Sequence, residues 1–425
     1  MSSARDFSAQ PRCYHSMQRE KLVVLFTVFV DVIGFGIVIP ILPFYVGSFG
    51  ASPLLITALF TSFAFFAFLS SPFLGALSDK IGRRPVLIAS ITSTAIGWFV
   101  FASATSIPLL FLGRIIDGAA AGNFTVAQGC LVDLARDEKE RSANLGLVGA
   151  AFGVGFMVGP FLGGLLSTVS HSFPFWCAGA LATLNASLAY FFLPETHRRR
   201  DPRARVSFNP LAPLARAAVN TTLRPYFLTW LFFGLANSAT QSVFALYGSH
   251  AYNFDSFSTG LIFATTGVLA AVNQTLFLKR IWLRYFSESR LEIIMTSVLA
   301  VSFFLMGSDI LVLFFVALPL MATAQAVQRV VLTSEVTGQV SPLMKGEALG
   351  ILTSLMAASM VFGPMIGGVL FEIQDGYPFF FAGVLMLISL SVALRFRAHD
   401  AARRASVVDT TDQKESDLKC HQPVP

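Results

Sequence analysis

Charged residues are scarce in this chain. Of its 425 residues, 13% are Asp, Glu, Lys or Arg and 54% are hydrophobic, including 43 phenylalanines. The mean hydropathy is +0.67. Soluble domains carry roughly 25% charged residues, so the composition excludes an ordinary soluble enzyme or binding domain. It indicates a polytopic membrane protein.

Cysteine and histidine are also few. The four cysteines have no metal-ligand spacing and the six histidines are scattered, so we expect no metal centre, no disulfide framework and no enzyme active site. No G-x-x-x-x-G-K-[ST] loop is present, which argues against ATP-driven pumping. We expect no cofactor. The polar stretch 1–21 does not have the pattern of a cleaved signal peptide.

Long apolar runs are abundant, and each is long enough for a spanning helix of about 20 residues. They predict an all-α membrane protein with twelve transmembrane helices. The predicted spans are 22–45, 55–78, 85–104, 108–134, 142–167, 172–193, 225–249, 257–278, 291–307, 309–334, 346–371 and 377–395.

Lysine and arginine are absent from every second connection between these spans. All but two of the 30 lie on the side that the N-terminus occupies, and the other two, Arg114 and Arg329, fall within spans. Cytoplasmic loops carry an excess of these residues, so both termini are predicted to be cytoplasmic. The net charge of +6 is then a topology signal, and no nucleic-acid partner is expected.

The two halves of the chain repeat each other. Residues 141–166 align without a gap with residues 345–370, and the match continues into the following span. Such repeats are typical of transporters whose substrate site lies between two halves. We expect two pseudo-symmetric six-helix bundles at 22–193 and 225–397, an N-terminal cytoplasmic segment at 1–21, a cytoplasmic linker at 194–224 and a disordered cytoplasmic tail at 398–425.

The stretch "GALSDKIGRRP" between the second and third spans places charges and glycines together. Asp79 ends one helix beside two arginines, and Asp133 closes the fourth span at the same face. A charge network there would latch helices in one transport state, although the same residues could be solvated topology charges only. The predicted latch residues are Gly75, Asp79, Gly82, Arg83, Arg84 and Asp133.

Small residues recur every four positions along the fifth span. Gly155, Gly159 and Gly163 share one helical face, where neighbouring helices can pack closely, and Pro160 adds a kink. Gly164 completes the G-x-x-x-G-P-x-x-G-G pattern.

Ionisable residues inside spans are rare and point to ion or substrate paths. Asp31 lies near the middle of the first span and is a candidate proton-coupling acid. Arg114 could neutralise Asp31 across helices, or Asp117 three residues further along its own helix. Arg329 and Glu335 on the tenth span are expected to form a network near the inner end and not a substrate site.

Amide side chains within spans could line a substrate cavity or could instead make hydrogen bonds between helices. The candidates are Asn123, Gln128, Asn237, Gln241, Asn273 and Gln325.

Four sequence blocks resemble the major facilitator superfamily. They are "GALSDKIGRRP", "DVIGFGIVIPILP" in the first span, "LGRIIDGAAAG" in the fourth and "GVGFMVGPFLGG" in the fifth. The chain resembles the twelve-helix drug/proton antiporters of that superfamily, and most closely the tetracycline-efflux branch. The resemblance implies a monomer in a bacterial inner membrane, with a small-molecule substrate and protons as its partners. It also implies roles for Asp31 and Arg114 in proton coupling and links the fifth-span motif to export.

Two departures from that branch concern the substrate. Gly97 and Leu299 stand near positions where the tetracycline antiporters carry acids, which puts tetracycline itself in question. A proton-coupled importer of a nutrient is the alternative function, and the fifth-span motif argues against it. A non-transporting receptor would need neither the latch nor Asp31.

Overall fold

The computed structural model describes residues 10–197, 212–219, 223–341 and 344–396, and these ranges contain helices and connections but no strand. The helices are α1 (Gln10–Gly47), α2 (Pro53–Ile81), α3 (Arg83–Ala102), α4 (Ile107–Ala119), α5 (Asn123–Asp133), α6 (Glu138–Ser167), α7 (Phe173–Phe192), α8 (Ala212–Val219), α9 (Arg224–Tyr252), α10 (Ser256–Val272), α11 (Leu283–Tyr285), α12 (Glu288–Met306), α13 (Leu311–Gly338), α14 (Lys345–Ile373) and α15 (Tyr377–Phe396). The predicted tail at 398–425 and most of the linker at 194–224 lie outside the described residues.

Eleven helical stretches of the described chain are long and apolar enough to cross a membrane, and they coincide with eleven of the twelve predicted spans. The remaining predicted span is α9, which is 29 residues long. Its middle carries Asn237, Thr240 and Gln241, and these polar side chains lower its mean hydropathy. Helix α9 packs along α14, where a Cβ at Gly367 would lie 2.6 Å from the Ala239 carbonyl oxygen.

The fourth span, predicted as one helix, is broken. A turn at 120–122 separates α4 from α5. Two carbonyl oxygens beside the break accept hydrogen bonds from α2, since Ser70 donates to Gly118 at 2.9 Å and Ser71 donates to Ala121 at 3.0 Å. A Cβ at Gly118 would lie 2.6 Å from a carbonyl oxygen of α2, so only glycine permits this approach.

Two other predicted boundaries are corrected. Helix α1 begins at Gln10, twelve residues before its predicted start. The eighth span does not end at residue 278, because α10 continues as a π-helix over Asn273–Trp282 and then as α11. Lys279, Arg280 and Arg284 therefore lie on this helical extension and not in a loop. A π-helix differs from an α-helix only in its hydrogen-bond register, so hydropathy cannot reveal it.

The two ends of the helix assembly differ in packing. We call the end that holds Arg83, Asp133 and Glu138 the basic end, and the end that holds Ser167 and Ser256 the opposite end. At the opposite end α6 meets α10 and α2 meets α14. The Ser167 and Ser256 hydroxyls lie 2.8 Å apart, and α2 donates a 3.1 Å hydrogen bond to a carbonyl of α14.

Toward the basic end α6 separates from α10. Met157, Pro160 and Gly164 on α6 face α10, and the stripe they form continues toward the basic end through Gly149 and Gly153. No atom of another described helix lies within 4 Å of the position that a Cβ would take at either of these two glycines. The helices therefore enclose a crevice that is closed at the opposite end and open at the basic end.

Candidate functional site

Arg83, the first residue of α3, is the centre of a charge cluster at the basic end. Its guanidinium lies 2.7 Å from an Asp79 carboxylate oxygen and 3.1 Å from one of Asp133. It also donates a 2.7 Å hydrogen bond to the Ser78 hydroxyl. The side chains of Arg83 and Asp133 are only 13% and 19% exposed, so this pair is less screened than a surface ion pair. The cluster joins the end of α2 to the end of α5.

Glycines give the Arg83 side chain its position. Gly82 connects α2 to α3 with a φ of 115°, a conformation that favours glycine, and the turn returns Arg83 toward Asp79. On α5, a Cβ at Gly129 would lie 2.6 Å from the Arg83 Cζ atom. Gly129 was missed by the sequence analysis. Gly75, which was predicted, meets only an ordinary van der Waals neighbour at 3.4 Å.

The segment that follows α7 adds two residues to the cluster, Glu195 and His197, which were also not predicted from the sequence. The Glu195 carboxylate accepts the Arg83 backbone N–H at 2.8 Å, and His197 Nδ1 lies 3.4 Å from Asp133. The signal available in the sequence was the polar run "PETH" directly after the sixth span, at the end already assigned to Arg83. Arg84 points elsewhere and donates a 2.7 Å hydrogen bond to a backbone carbonyl of α7.

Asp31 lies within α1 and has a buried carboxyl group. Neither carboxylate oxygen has a hydrogen-bond partner among the described residues. The Asn123 side chain, at the start of α5, faces the carboxyl without closing a hydrogen bond of standard geometry, and Asp117 repels it. An ionised carboxylate without a counter-ion costs several kcal/mol in such surroundings. The protein around Asp31 therefore does not balance a negative charge there.

Arg114, on α4, is 3% exposed and is paired within its own helix. Its Nη1 lies 3.6 Å from an Asp117 carboxylate oxygen. The guanidinium also lies 4.5 Å and 4.6 Å from the ring centroids of Trp98 and Phe101. In the described part of the chain Arg114 forms no ion pair with Asp31. Of the two pairings that the sequence left open, the structure contains the one with Asp117.

Gly97 has a structural reason to lack a side chain. A Cβ at this position would lie 2.9 Å from the Asp117 backbone nitrogen and 3.0 Å from the Gly113 carbonyl oxygen. Helices α3 and α4 therefore touch where the tetracycline antiporters were expected to carry an acid. A carboxylate at Gly97 would require these two helices to separate.

The predicted cavity amides divide into two groups. Asn237 and Gln325 share a hydrogen bond between α9 and α13, and Asn273 donates a 3.0 Å hydrogen bond to Thr323. These three residues therefore link helices. Gln128 is half-buried on α5 and makes no side-chain hydrogen bond within the described residues.

Gln241 lines a cavity between the two halves of the chain. Its walls are Phe35, Ile39, Phe60, Phe63 and Ala64 from the first half and Ser238, Gln241, Ser242, Met360 and Pro364 from the second. Phe35 stands one helical turn after Asp31 on α1, so the buried carboxyl lies close to this cavity. The lining of this cavity is mainly apolar, with polar side chains contributed by the second half.

Comparison with known proteins decides the family. The family model of the Major Facilitator Superfamily matches residues 24–335. The chain belongs to the Major Facilitator Superfamily. It is therefore a member of a transporter family and an integral, multi-pass membrane protein.

Resistance proteins are among the relatives of this superfamily member. It is 32% identical to the class C tetracycline resistance protein of Escherichia coli over 60% of this chain and 65% of that protein. It is 26% identical to multidrug resistance protein 2 of Bacillus subtilis over 90% of this chain and 96% of that protein. The crystal structure of the human organic anion transporter MFSD10 is similar, with 25% identity, a TM-score of 0.67, and coverage of 89% of this chain and 99% of that chain. The predicted resemblance to the tetracycline-efflux branch is confirmed.

Helix α6 of this superfamily member contacts a different helix on each side of its glycine motif. A Cβ at Gly159 would lie 2.8 Å from the Ile33 carbonyl oxygen of α1, and Gly155 and Gly163 approach α1 in the same way. On the other side Gly260 of α10 approaches the Pro160 carbonyl oxygen, where a Cβ at Gly260 would lie 2.6 Å away. Gly164 contacts α10 as well. The motif therefore provides the surface on which the opposite end closes.

Gly260→Val is expected to open the opposite end, because its side chain would push α10 away from α6. Overpacking of this kind costs about 1–3 kcal/mol, so the accessible population should rise by about 5- to 150-fold. The measurement is maleimide labelling of Ser256→Cys, in a chain whose native cysteines are replaced by serine. Gly149→Val is the matched control, because a Cβ there meets no neighbour within 4 Å. Equal labelling rates in the two variants would contradict the closure.

Proposed function

We propose that this superfamily member exports drug-like amphipathic small molecules in exchange for protons. The observation that carries the proposal is the Asp31 carboxyl, which is buried, lacks a hydrogen-bond partner among the described residues and stands one turn from the cavity. A carboxyl whose charge the protein does not balance is a group that can take up and release a proton as its access to water changes. The multidrug resistance protein of Bacillus subtilis, matched over most of both chains, supports the export direction.

Asp31 couples substrate efflux to proton uptake, because substrate and proton compete for binding in the same crevice. In the state open to the cytoplasm, arriving substrate displaces the proton from Asp31. In the state open to the outside, substrate leaves and the carboxyl is protonated again. Arg114 acts on this step through Asp117, since the ion pair of 3.6 Å determines how much negative charge faces Asp31.

Alternating access is proposed to arise from rocking of two six-helix bundles, 22–193 and 225–397. The crevice open at the basic end then represents the inward-facing state, with both termini in the cytoplasm of a bacterial cell and the protein acting as a monomer in its inner membrane. The positive-inside rule supports this orientation, because the basic residues collect at that end. In the described part of the linker, the Arg216 guanidinium lies 2.9 Å from a carboxylate oxygen of Glu347 at the start of α14.

The test of this function is dye efflux from an efflux-deficient bacterial host that expresses the full chain. Cells loaded with rhodamine 6G are energised with glucose, with and without a protonophore. We expect efflux above the empty-vector rate, and its loss when the protonophore collapses the proton gradient. Efflux that persists at full rate with the protonophore would overturn proton coupling, and glucose-driven accumulation of dye would indicate an importer.

A further inference from the structure

Arg329 on α13 is a cation that has no anionic partner among the described residues. Its Cζ atom lies 5.9 Å from the centroid of the Phe152 ring on α6. Within the described residues its guanidinium makes no ion pair and donates no hydrogen bond, and the side chain is exposed. No ion pair joins Arg329 to Glu335 in the described part of the chain, and Glu335 accepts a 2.9 Å hydrogen bond from Ser289. Arg114, in contrast, has Asp117 as its counter-ion.

The guanidinium lies deep in the crevice and not at its mouth. Arg329 stands nine residues before the end of α13, about 14 Å from the basic end at 1.5 Å per residue. Phe152, over which it lies, is at the midpoint of α6. A side chain that reached for the water at the basic end would not contact a ring at this depth. The charge is therefore held at the level where transporters of this architecture bind their substrates.

A row of aromatic rings leads from Arg329 to the cavity. Phe152 stacks on Phe156 with centroids 6.1 Å apart, Phe156 contacts Phe35 at 6.5 Å, and Phe35 contacts Phe63 at 6.0 Å. Phe35 and Phe63 are cavity walls. The row belongs to the first half of the chain, whereas Arg329 belongs to the second. A flat molecule lying on these rings would present one end to the guanidinium.

We propose that Arg329 binds the anionic group of the substrate, and that the substrate class includes aromatic carboxylates. A guanidinium presents a planar fork of N–H donors that matches a carboxylate in two hydrogen bonds. The phenylalanine row supplies stacking for the attached ring system. The inference rests on the proposed function in one respect, namely that the crevice is the substrate path.

The experiment measures equilibrium binding of two xanthene dyes to the purified full-length protein by fluorescence anisotropy at pH 8. Fluorescein is an anion with a free carboxylate, and rhodamine 6G is a permanent cation whose carboxyl group is esterified. We expect Arg329→Gln to weaken fluorescein binding by about 10- to 100-fold, the range for one charge-assisted pair, and to leave rhodamine 6G binding unchanged or tighter. Arg329→Lys should retain most of the affinity for fluorescein.

Arg284→Gln is the matched control. Arg284 is exposed on α11 and lies 5.7 Å from the ring centroid of Tyr285, so its replacement removes the same charge and the same type of aromatic contact outside the crevice. Equal fluorescein affinity in Arg329→Gln and the unmodified protein would overturn the inference. Equal weakening of both dyes in Arg329→Gln would also overturn it, because it would identify Arg329 as a structural clamp between α6 and α13.

The binding measurement needs no proton gradient, so its outcome is separate from that of the efflux test. Arg329-dependent fluorescein binding without protonophore-sensitive efflux would retain the anion site and reject the proposed coupling. Protonophore-sensitive efflux of rhodamine 6G, together with fluorescein binding that Arg329→Gln does not change, would retain the proposed coupling and reject the anion site.

Discussion

Asp31→Asn is expected to abolish proton-driven efflux while leaving the protein folded. Asparagine has nearly the same shape as aspartate but cannot take up and release a proton. Because the Asp31 oxygens have no hydrogen-bond partner in the described structure, the change breaks no hydrogen bond of standard geometry. In proteoliposomes with an imposed pH gradient, substrate accumulation should fall to the level of protein-free vesicles. Downhill exchange of labelled against unlabelled substrate should persist.

Asp117→Asn is the control for this prediction, since it makes the same chemical change at a buried aspartate on α4. It would leave the buried Arg114 guanidinium without its counter-ion, and breaking a buried pair costs about 3–5 kcal/mol. We therefore expect a clear loss of thermal stability in Asp117→Asn and none in Asp31→Asn. If Asp31→Asn still builds a substrate gradient that a protonophore collapses, the coupling acid is another residue.

Arg83→Gln is expected to slow transport by about 10- to 100-fold, because it removes charge-assisted contacts worth roughly 1.5–3 kcal/mol in total from one conformational state, to which the half-exposed Asp79 contributes little. The contacts are those with Asp79 and Asp133. Substrate affinity, measured by dye binding to purified protein, should stay within a few-fold of its original value, since the cluster lies at the basic end and not in the cavity.

Lys80→Gln separates the latch from a topology signal. Lys80 is exposed, lies in the same sequence motif and carries the same charge, but it makes no contact with the cluster in the described residues. If these arginines and lysines serve orientation alone, the two variants should behave alike in transport. A normal rate in Lys80→Gln beside a slow Arg83→Gln would support the latch, and equal rates would remove it.

The charge cluster shows how far sequence reasoning reaches into the site. Asp79, Arg83 and Asp133 could be predicted because each stands where a span ends at one face, and the end of a span is a local property of hydropathy. Glu195 stands at the same face, in the polar run after the sixth span, but its spacing along the chain does not tie it to Arg83. Gly129 could not be found in principle from spacing, because its role is to leave room for a side chain that comes from another helix.

A comparison of Arg114 with Arg329 illustrates the same limit of sequence-based prediction. Both are single arginines within apolar spans, and in the sequence each has an acid nearby. In the structure Arg114 is paired with its acid, whereas Arg329 faces a phenylalanine of the other half. Helical spacing indicates which side chains can meet along one helix, but which helix lies opposite depends on packing between distant segments.

The sequence by itself determined the membrane class, eleven of the apolar helices and the family, because these follow from composition, from runs of apolar residues and from motifs read along one chain. The tertiary structure decided the break between α4 and α5, the partner of Arg114, the isolation of Asp31 and Arg329, and the end at which the crevice closes. These features depend on close approaches at glycines such as Gly118 and Gly260. The sequence shows where a glycine leaves room for a close contact, but only the packing of two helices shows which backbone approaches it.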